Sequence, residues 1–341
     1  MWFTLYIIYR IYIFAMFISR TPLRVSFTGW GSDLPSFYKE HWGAVLSTSI
    51  DKWVTVLVNK KFDNKIRLWY SETENVEHAN ELKHEYAKQI LNLLDIDWWL
   101  EITSVADIPS KWSWLWSSSS FTVAMLHALH AHKWEYVSAE RLAQEACLIE
   151  IEKCGKPIWK QDQYAAAYWW LNFIEFNPDD TVSVKKIICL KETKQRLQDN
   201  LLMMYTWITR SASDILSKQN QNMLSDQKKV EIMKKMVWLS YDLKKDLENN
   251  DLNNFWEILH QNRELKKEMA WGISNPQIDN RYHRARRAWA SWGKLLWAWW
   301  GWFFLFYAPK EKHQDIITAL PELRNIDFNF ENEWSKIIFT Y

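Results

Sequence analysis

The chain has 341 residues, of which 48% are hydrophobic and 24% charged, a make-up that suits a globular protein of one large domain or two. Lys+Arg 42 against Asp+Glu 41 leaves no bulk field for nucleic acid or an acidic membrane. Cys147, Cys154 and Cys189 form no metal-ligand cluster and suit reduced thiols in a reducing cytosol.

In chain order, Met1 to Ser19 is mostly Ile, Tyr and Phe, interrupted by Arg10. It is a little short for a membrane span, which needs about 20 apolar residues. It also lacks the small-residue cleavage site of a secretory signal. We read residues 1–19 as an extension with Met16 as the favoured initiator, a membrane anchor being the alternative. Residues 20–31 form a strand and turn, with Leu23, Val25 and Phe27 alternating with Arg24 and Ser26. Ala44 to Val58 holds one or two strands. Asn75 to Leu94 has helical spacing through Val76, Leu82, Tyr86, Ile90 and Leu94. Leu100 to Val105 is a short strand, followed by a Ser-rich loop and a helix over Phe121 to His132. Ser138 caps a further helix that runs to about Lys153. Leu171 to Phe176 is a strand, Asn177-Pro178-Asp179-Asp180 a turn, and Val182 to Leu190 a strand again. The polar stretch from Lys191 to Asn200 is the best domain boundary. Two or three helices follow between Ser211 and Ala270, and Asn275-Pro276 opens another. Strand, turn, helix and strand close the chain from Leu295 to Tyr341. The mixture is α+β with antiparallel strands and segregated helices.

Trp and Gly are out of proportion. The chain has Trp 25 and Gly 7, whereas average usage predicts Gly at about 7%, or roughly 24 residues. Trp also stands where a backbone needs glycine, as in Gly29-Trp30-Gly31-Ser32-Asp33 and Trp297-Ala298-Trp299-Trp300-Gly301-Trp302. We infer that most of these tryptophans are encoded glycines, as in bacterial lineages that read UGA as glycine. The alternative is a Trp-rich protein as spelled.

One segment carries the chemistry. Pro109-Ser110-Lys111-Trp112-Ser113-Trp114-Leu115-Trp116-Ser117-Ser118-Ser119-Ser120, with glycine at the tryptophans, is a Gly/Ser-rich loop leading straight into a helix. Glycines let a backbone approach an anion closely, and a helix start offers free N–H groups and a positive dipole end. The combination is a phosphate cradle. It lacks the Gly-Lys-Ser/Thr of the Walker pattern. A flexible Ser/Gly linker is the plain alternative.

This segment resembles the phosphate loop of the superfamily of galactokinase, homoserine kinase, mevalonate kinase and phosphomevalonate kinase, the GHMP kinases. Arg20-Thr21-Pro22-Leu23-Arg24-Val25-Ser26-Phe27-Thr28-Gly29-Trp30-Gly31-Ser32-Asp33-Leu34-Pro35 resembles its first motif. Lys294-Leu295-Leu296-Trp297-Ala298-Trp299-Trp300-Gly301-Trp302-Phe303 resembles its third. The resemblance runs from about residue 20 to the C-terminus. The first block and Gln161-Asp162-Gln163 look most like the branch that phosphorylates D-glycero-D-manno-heptose 7-phosphate. Taken literally, the tryptophans depart from the pattern fatally, because indoles at 114 and 116 would fill the nucleotide's space.

The resemblance implies site residues. Trp112, Trp114, Leu115, Trp116, Ser117, Ser118 and Ser119 would bind the ATP phosphates. Asp162 would accept or orient the sugar hydroxyl proton, and Arg24 would stabilise developing charge. Glu150 and Ser118 would hold Mg²⁺, with Glu152 as the rival glutamate. Asp33 would bind sugar hydroxyls. Plain alternatives exist for each: a solvated loop or helix face for Asp162 and the glutamates, helix capping for Ser118, a surface arginine for Arg24, a turn for Asp33. A second anion site for a sugar phosphate could be Arg210 or the cluster Arg281, Arg284, Arg286 and Arg287, which at helical spacing is more often a solvated face. His127, His130 and His132 on one helix suggest packing rather than metal binding.

The expected protein is a cytoplasmic two-domain GHMP kinase. A ribosomal-protein-like α+β domain over 20–190 carries the phosphate loop, and a ferredoxin-like domain over 200–341 closes the cleft. Its partners would be ATP, Mg²⁺ and a sugar phosphate, with no nucleic acid and no membrane. The alternatives are a kinase for fucose, galactose or an N-acetylhexosamine, or a non-enzymatic Trp-rich binding or membrane-associated protein.

Overall fold

The computed structural model describes residues 16–97, 99–108, 118–156, 158–207, 226–269, 276–296 and 303–340. The first half holds β1 (Phe17–Thr28), α1 (Pro35–Tyr38), β2 (Gly43–Lys60), β3 (Ile66–Trp69), β4 (Thr73–Val76), α2 (Glu85–Leu93), β5 (Leu100–Ala106), α3 (Ser118–His132), α4 (Ala139–Cys147), a π-helical turn at Leu148–Lys153, α5 (Gln161–Ala167), β6 (Leu171–Phe176) and β7 (Val182–Lys186). The second half holds α6 (Lys191–Asp199), β8 (Leu201–Tyr205), α7 (Gln227–Glu248), α8 (Phe255–Met269), α9 (Pro276–Arg287), β9 (Trp292–Leu296), β10 (Phe303–Tyr307), α10 (His313–Ala319), β11 (Arg324–Ile326) and β12 (Lys336–Thr340).

Two sheets result. The larger is built on β2, whose length lets it pair with β1, β5 and β6, and β12 returns from the C-terminus to flank β1. β1 starts at Phe17, and Phe17 and Ser19 are buried, so residues 17–19 belong to the sheet and not to an extension. Its ladder with β2 shifts register between Pro22 and Leu23. A proline has no N–H to donate, so in a strand paired on both sides it falls at such an irregularity. The smaller sheet has the order β11-β8-β10-β9, antiparallel throughout. With α7, α8 and α9 between β8 and β9, and α10 between β10 and β11, this is the expected ferredoxin-like arrangement.

α3 is apolar on all sides, and every residue from Ser118 to His130 is buried, as befits a helix enclosed by its neighbours. It lies against β1 and β2. One core joins the helices of the first half to α7, α8 and the inner face of the small sheet, while a second core lies under α9 and α10.

Two local expectations are corrected. Asn75 to Leu94 is not one helix, because Val76 ends a strand and the helix begins at Glu85, capped by His84 Nδ1 accepting from Ala87 N–H. Glu74 holds this corner by accepting from the N–H groups of Lys83 and His84. The strand after the Asn177 turn ends at Lys186. The stretch read as a domain boundary holds an amphipathic helix, Lys191–Asp199, which buries Thr193 and Leu197 and lies in the chain between the last strand of the first half and the first strand of the small sheet.

The backbone singles out the tryptophans. Eight described non-glycine residues have a left-handed φ, and three of them, Asp95, Asp180 and Asn250, are of the types that tolerate it. The other five are Trp99, Trp134, Trp170, Trp207 and Trp289, with φ of 55°, 59°, 88°, 59° and 77°. Two of them end helices. The N–H of Glu135 reaches back to His130 O across Trp134, and the N–H of Ala290 to Ala285 O across Trp289. The same closure spans Asp95, from Ile96 N to Leu91 O, and Asn250, from Asp251 N to Asp246 O. This helix ending normally places glycine at the left-handed residue.

Candidate active site

β1 lays out the site like a ruler. Midway along it Ser120 Oγ donates to Pro22 O at 3.0 Å. Two residues on, Arg24 makes a two-pronged pair with Asp162, Nε to Oδ1 at 3.0 Å and Nη2 to Oδ2 at 2.7 Å. Two further on, Ser26 Oγ donates to Gln161 Oε1 at 3.4 Å, and Lys294 Nζ donates to Ser26 O at 2.7 Å and Phe27 O at 3.0 Å. Alternation along a strand puts Pro22, Arg24 and Ser26 on one face.

Asp162 sits in the first turn of α5, and Asp33 anchors that turn. The backbone N–H of Gln161 donates to Asp33 Oδ2 at 2.9 Å, so the carboxylate meets the positive end of the helix. Asp33 is fully buried, and burial pushes its carboxyl up to about 7 against the pull of the Gln161 N–H. Its Oδ1 makes no hydrogen bond among the described residues. Gln161 Nε2 also donates to Asp162 Oδ1 at 3.0 Å, so the Asp162 carboxylate is held from two sides.

Glu150 lies in the π-helical turn, a widened turn of the kind frequent at functional sites. The widening turns Glu150 inward, fully buried, while Glu152 is exposed. Glu150 Oε2 accepts from Ser119 Oγ at 2.9 Å, Gln163 Nε2 at 2.9 Å and Ser118 Oγ at 3.4 Å. Burial pushes its carboxyl up to about 7, against the hydrogen bonds from Ser119 and Gln163. One carboxylate and two hydroxyls are hard oxygen donors that fit Mg²⁺, an ion usually held by one or two carboxylates plus substrate phosphates and water. Among the described residues no group of three His, Cys, Asp or Glu could hold a metal alone, so phosphate oxygens would have to complete the shell.

Of these groups, Arg24, Ser119, Ser120 and Asp162 line a cleft, together with Leu23 from the first half and Met203 and Leu296 from the small sheet. The structure thus brings together Asp162, Arg24, Ser118, Ser119, Glu150 and Asp33. Trp112, Trp114, Leu115, Trp116, Ser117 and Arg210 lie outside the described residues. The arginine cluster on α9 is engaged elsewhere. Arg281 and Arg284 pair with Glu322, and Arg284, Arg286 and Arg287 bond the carbonyls of Ala319, Ala290 and His283. The histidines pack as expected: His127 Nδ1 meets Ser335 Oγ at 2.8 Å, and His130 lies between Glu135 at 2.9 Å and Glu145 at 2.7 Å.

Sequence reasoning missed Lys266. It lies on α8, 5% exposed, with Nζ 3.7 Å from the centre of the Trp30 ring. A signal was there: Phe255, Ile258, Leu259, Asn262, Lys266 and Met269 form one buried helical stripe, and a lysine on such a stripe is rare without a role. Lys294 is equally buried. Burial, then the nearby Arg24, lowers its ammonium to about 7. Burial lowers Lys266 well below the usual ammonium range, aided by Lys294 and Arg24.

No family model matches the chain. It is 28% identical over 332 residues, 93% of this chain and 97% of the other, to the D-glycero-alpha-D-manno-heptose 7-phosphate kinase of Campylobacter jejuni. Its fold matches the crystal structure of a D-glycero-D-manno-heptose 1-phosphate kinase from Bacteroides thetaiotaomicron with a TM-score of 0.77 at 22% identity, covering 95% of this chain and 99% of that one. It matches the mevalonate kinase of Methanococcus jannaschii with a TM-score of 0.70 at 19% identity, over 92% and 98% of the two chains. The chain therefore shares the two-sheet α+β fold of these sugar and mevalonate kinases.

Proposed function

We propose that the chain is a sugar kinase that transfers phosphate from ATP to the anomeric hydroxyl of a sugar phosphate, with D-glycero-D-manno-heptose 7-phosphate giving the 1,7-bisphosphate. The observation that carries this is the Asp162–Arg24 pair in the cleft, with Ser118, Ser119 and Glu150 at one side. Asp162 orients the hydroxyl, whose oxygen bonds to the γ-phosphorus as the bond to ADP breaks. The hydroxyl proton passes to the Asp162 carboxylate. Phosphoryl transfer asks chiefly for such positioning and for charge stabilisation, which Arg24 supplies beside the reacting oxygens. Asp33 Oδ1 is placed to accept from a sugar hydroxyl. Mg²⁺, when held by Glu150 and Ser118, would neutralise charge on the phosphates.

The proposal includes glycine at most tryptophan positions. What supports it is the backbone: left-handed geometry costs a non-glycine residue about 1–2 kcal/mol, and four of the five left-handed tryptophans also hold their side chains 38–64% exposed. Glycine removes both penalties. At Gly29 itself (φ 80°), an added Cβ would stand 1.8 Å from Ala44 O, so this turn already depends on glycine.

Two experiments test the reading. The codons at 134, 170, 207 and 289, with mass spectrometry of the peptide over 294–310, should give UGA and glycine; UGG and tryptophan would overturn it. Purified protein should phosphorylate heptose 7-phosphate in preference to heptose 1-phosphate, fucose, galactose and N-acetylhexosamines. Preference for one of the others would reassign the substrate. The heptose 1-phosphate arm is needed because the two heptose kinases differ in the phosphate position their names give.

A further inference from the structure

Gln161 opens α5 and makes three separate contacts. Its backbone N–H donates to Asp33 Oδ2 at 2.9 Å, its side-chain Nε2 donates to Asp162 Oδ1 at 3.0 Å, and its Oε1 accepts from Ser26 Oγ at 3.4 Å. It is 2% exposed, whereas the Asp162 side chain is 37% exposed and lines the cleft. The amide can face only one way. An ionised carboxylate only accepts, so Nε2 and not Oε1 must meet Asp162, and Oε1 is left to the Ser26 hydroxyl. Ser26 is itself fixed, because its carbonyl accepts from Lys294 of β9 at 2.7 Å.

Counting donors separates the two Asp162 oxygens. Each carboxylate oxygen has about two acceptor sites. Oδ1 accepts from Arg24 Nε and Gln161 Nε2, both at 3.0 Å, which fills them. Oδ2 accepts from Arg24 Nη2 at 2.7 Å and, among the described residues, from nothing else. Without Gln161 each oxygen would hold one Arg24 donor and keep one site open, so the guanidinium alone does not tell them apart.

We propose that Gln161 is a positioning residue that saturates Asp162 Oδ1, so that Oδ2 alone accepts the proton of the anomeric hydroxyl. This rests on the kinase reading above. In the step, the hydroxyl O–H bond breaks and its proton passes to Oδ2. The hydroxyl oxygen bonds to the γ-phosphorus as the bond from phosphorus to the leaving ADP oxygen breaks. Arg24 Nη2 keeps the other site of Oδ2. A single acceptor gives the hydroxyl oxygen one place, whereas two equivalent acceptors would give it two. In-line displacement needs one direction of attack, so the second place would be unproductive. Misplacing a reacting group in this way costs rate more than affinity.

The test joins kinetics to a crystal structure of the chain with heptose 7-phosphate and no ATP. Q161M keeps the length of the side chain but loses its amide donor and acceptor. It should lower kcat about tenfold and leave KM for the sugar phosphate within about twofold. S26A, which frees the amide to turn, should lower kcat less, in the same pattern. In the crystal the anomeric oxygen should lie within hydrogen-bond reach of the oxygen that Arg24 Nη2 holds, and not of the one that Gln161 holds. An unchanged kcat in Q161M, a rise in KM as large as the fall in kcat, or a hydroxyl on Oδ1 overturns the proposal. If Q161M does not fold, S26A and the crystal structure decide. If the unsubstituted chain transfers phosphate while the hydroxyl sits on Oδ1, this inference alone fails. If the hydroxyl sits on Oδ2 and no sugar phosphate is phosphorylated, the kinase reading alone fails.

Discussion

Beside Pro22, midway along β1, the site offers hydroxyls and a carboxylate, Ser118, Ser119, Ser120 and Glu150. At the Ser26–Phe27 end it offers the buried ammonium of Lys294. Both ends are buried, yet they balance burial in opposite ways. Glu150 gains three hydrogen-bond donors that soften its desolvation, whereas Lys294 gains two carbonyls and a like-charged neighbour. The contrast teaches that the site is polarised along one strand. An oxygen-rich end suits a cation with its polyphosphate, a basic end suits an anion, and the one carboxylate–guanidinium pair lies between.

Removing the middle should cost most. D162N is expected to lower kcat by about 10³-fold, within the range for a lost acid–base group, with circular dichroism unchanged. A kcat within a few fold of the unsubstituted chain would remove Asp162 from the chemistry. R24M should lower kcat by about 10²-fold, as when one charge-stabilising donor is lost, and a larger effect on KM than on kcat would make Arg24 a binding residue instead.

The oxygen-rich end is tested through its proton. Glu150, raised to about 7, must ionise to bind Mg²⁺. Apparent Mg²⁺ affinity should therefore rise from pH 6 to pH 8. In E150Q the rise should vanish and affinity fall by about 10–100-fold, the scale for lost metal-site carboxylate contacts. An equal rise in both proteins would place the titrating group elsewhere.

The basic end should give the smallest effect, and one of opposite origin. Lys294 titrates near 7 when folded and near 10.5 when unfolded. Between those values the unfolded chain holds the extra proton, so raising the pH favours the folded state. The urea midpoint should climb from pH 7.5 to 9.5, less steeply in K294M. Identical slopes would mean that Lys294 keeps an ordinary ammonium.

Much of this site was legible in the sequence. Alternation in β1 puts Arg24 on the Ser26 face, and the Ser138 cap with its helical run leads to Glu150. Glu150 and Glu152 could not be separated by a 3.6-residue period, because the π-helical turn breaks that period at this point. Lys266 was legible but unread, as a charge in an apolar stripe. The corner at Glu74 was not legible, because its backbone is fixed by a buried carboxylate whose partners come from residues 83 and 84. The left-handed tryptophans carried a different message. Residue identity and backbone disagree at 134 and 289 but agree at the matching helix ends, Asp95 and Asn250.

The pairing of β1 with β12, Phe17 opposite Thr340, has a consequence for biosynthesis. The ladder joins residues 17–20 to residues 336–340, so the large sheet cannot be completed until that distant strand has been made and has left the ribosome. Contacts of such long sequence separation slow folding. Nascent chains should therefore expose the β1 edge until β12 emerges, and a chain cut before Lys336 should remain prone to association through it.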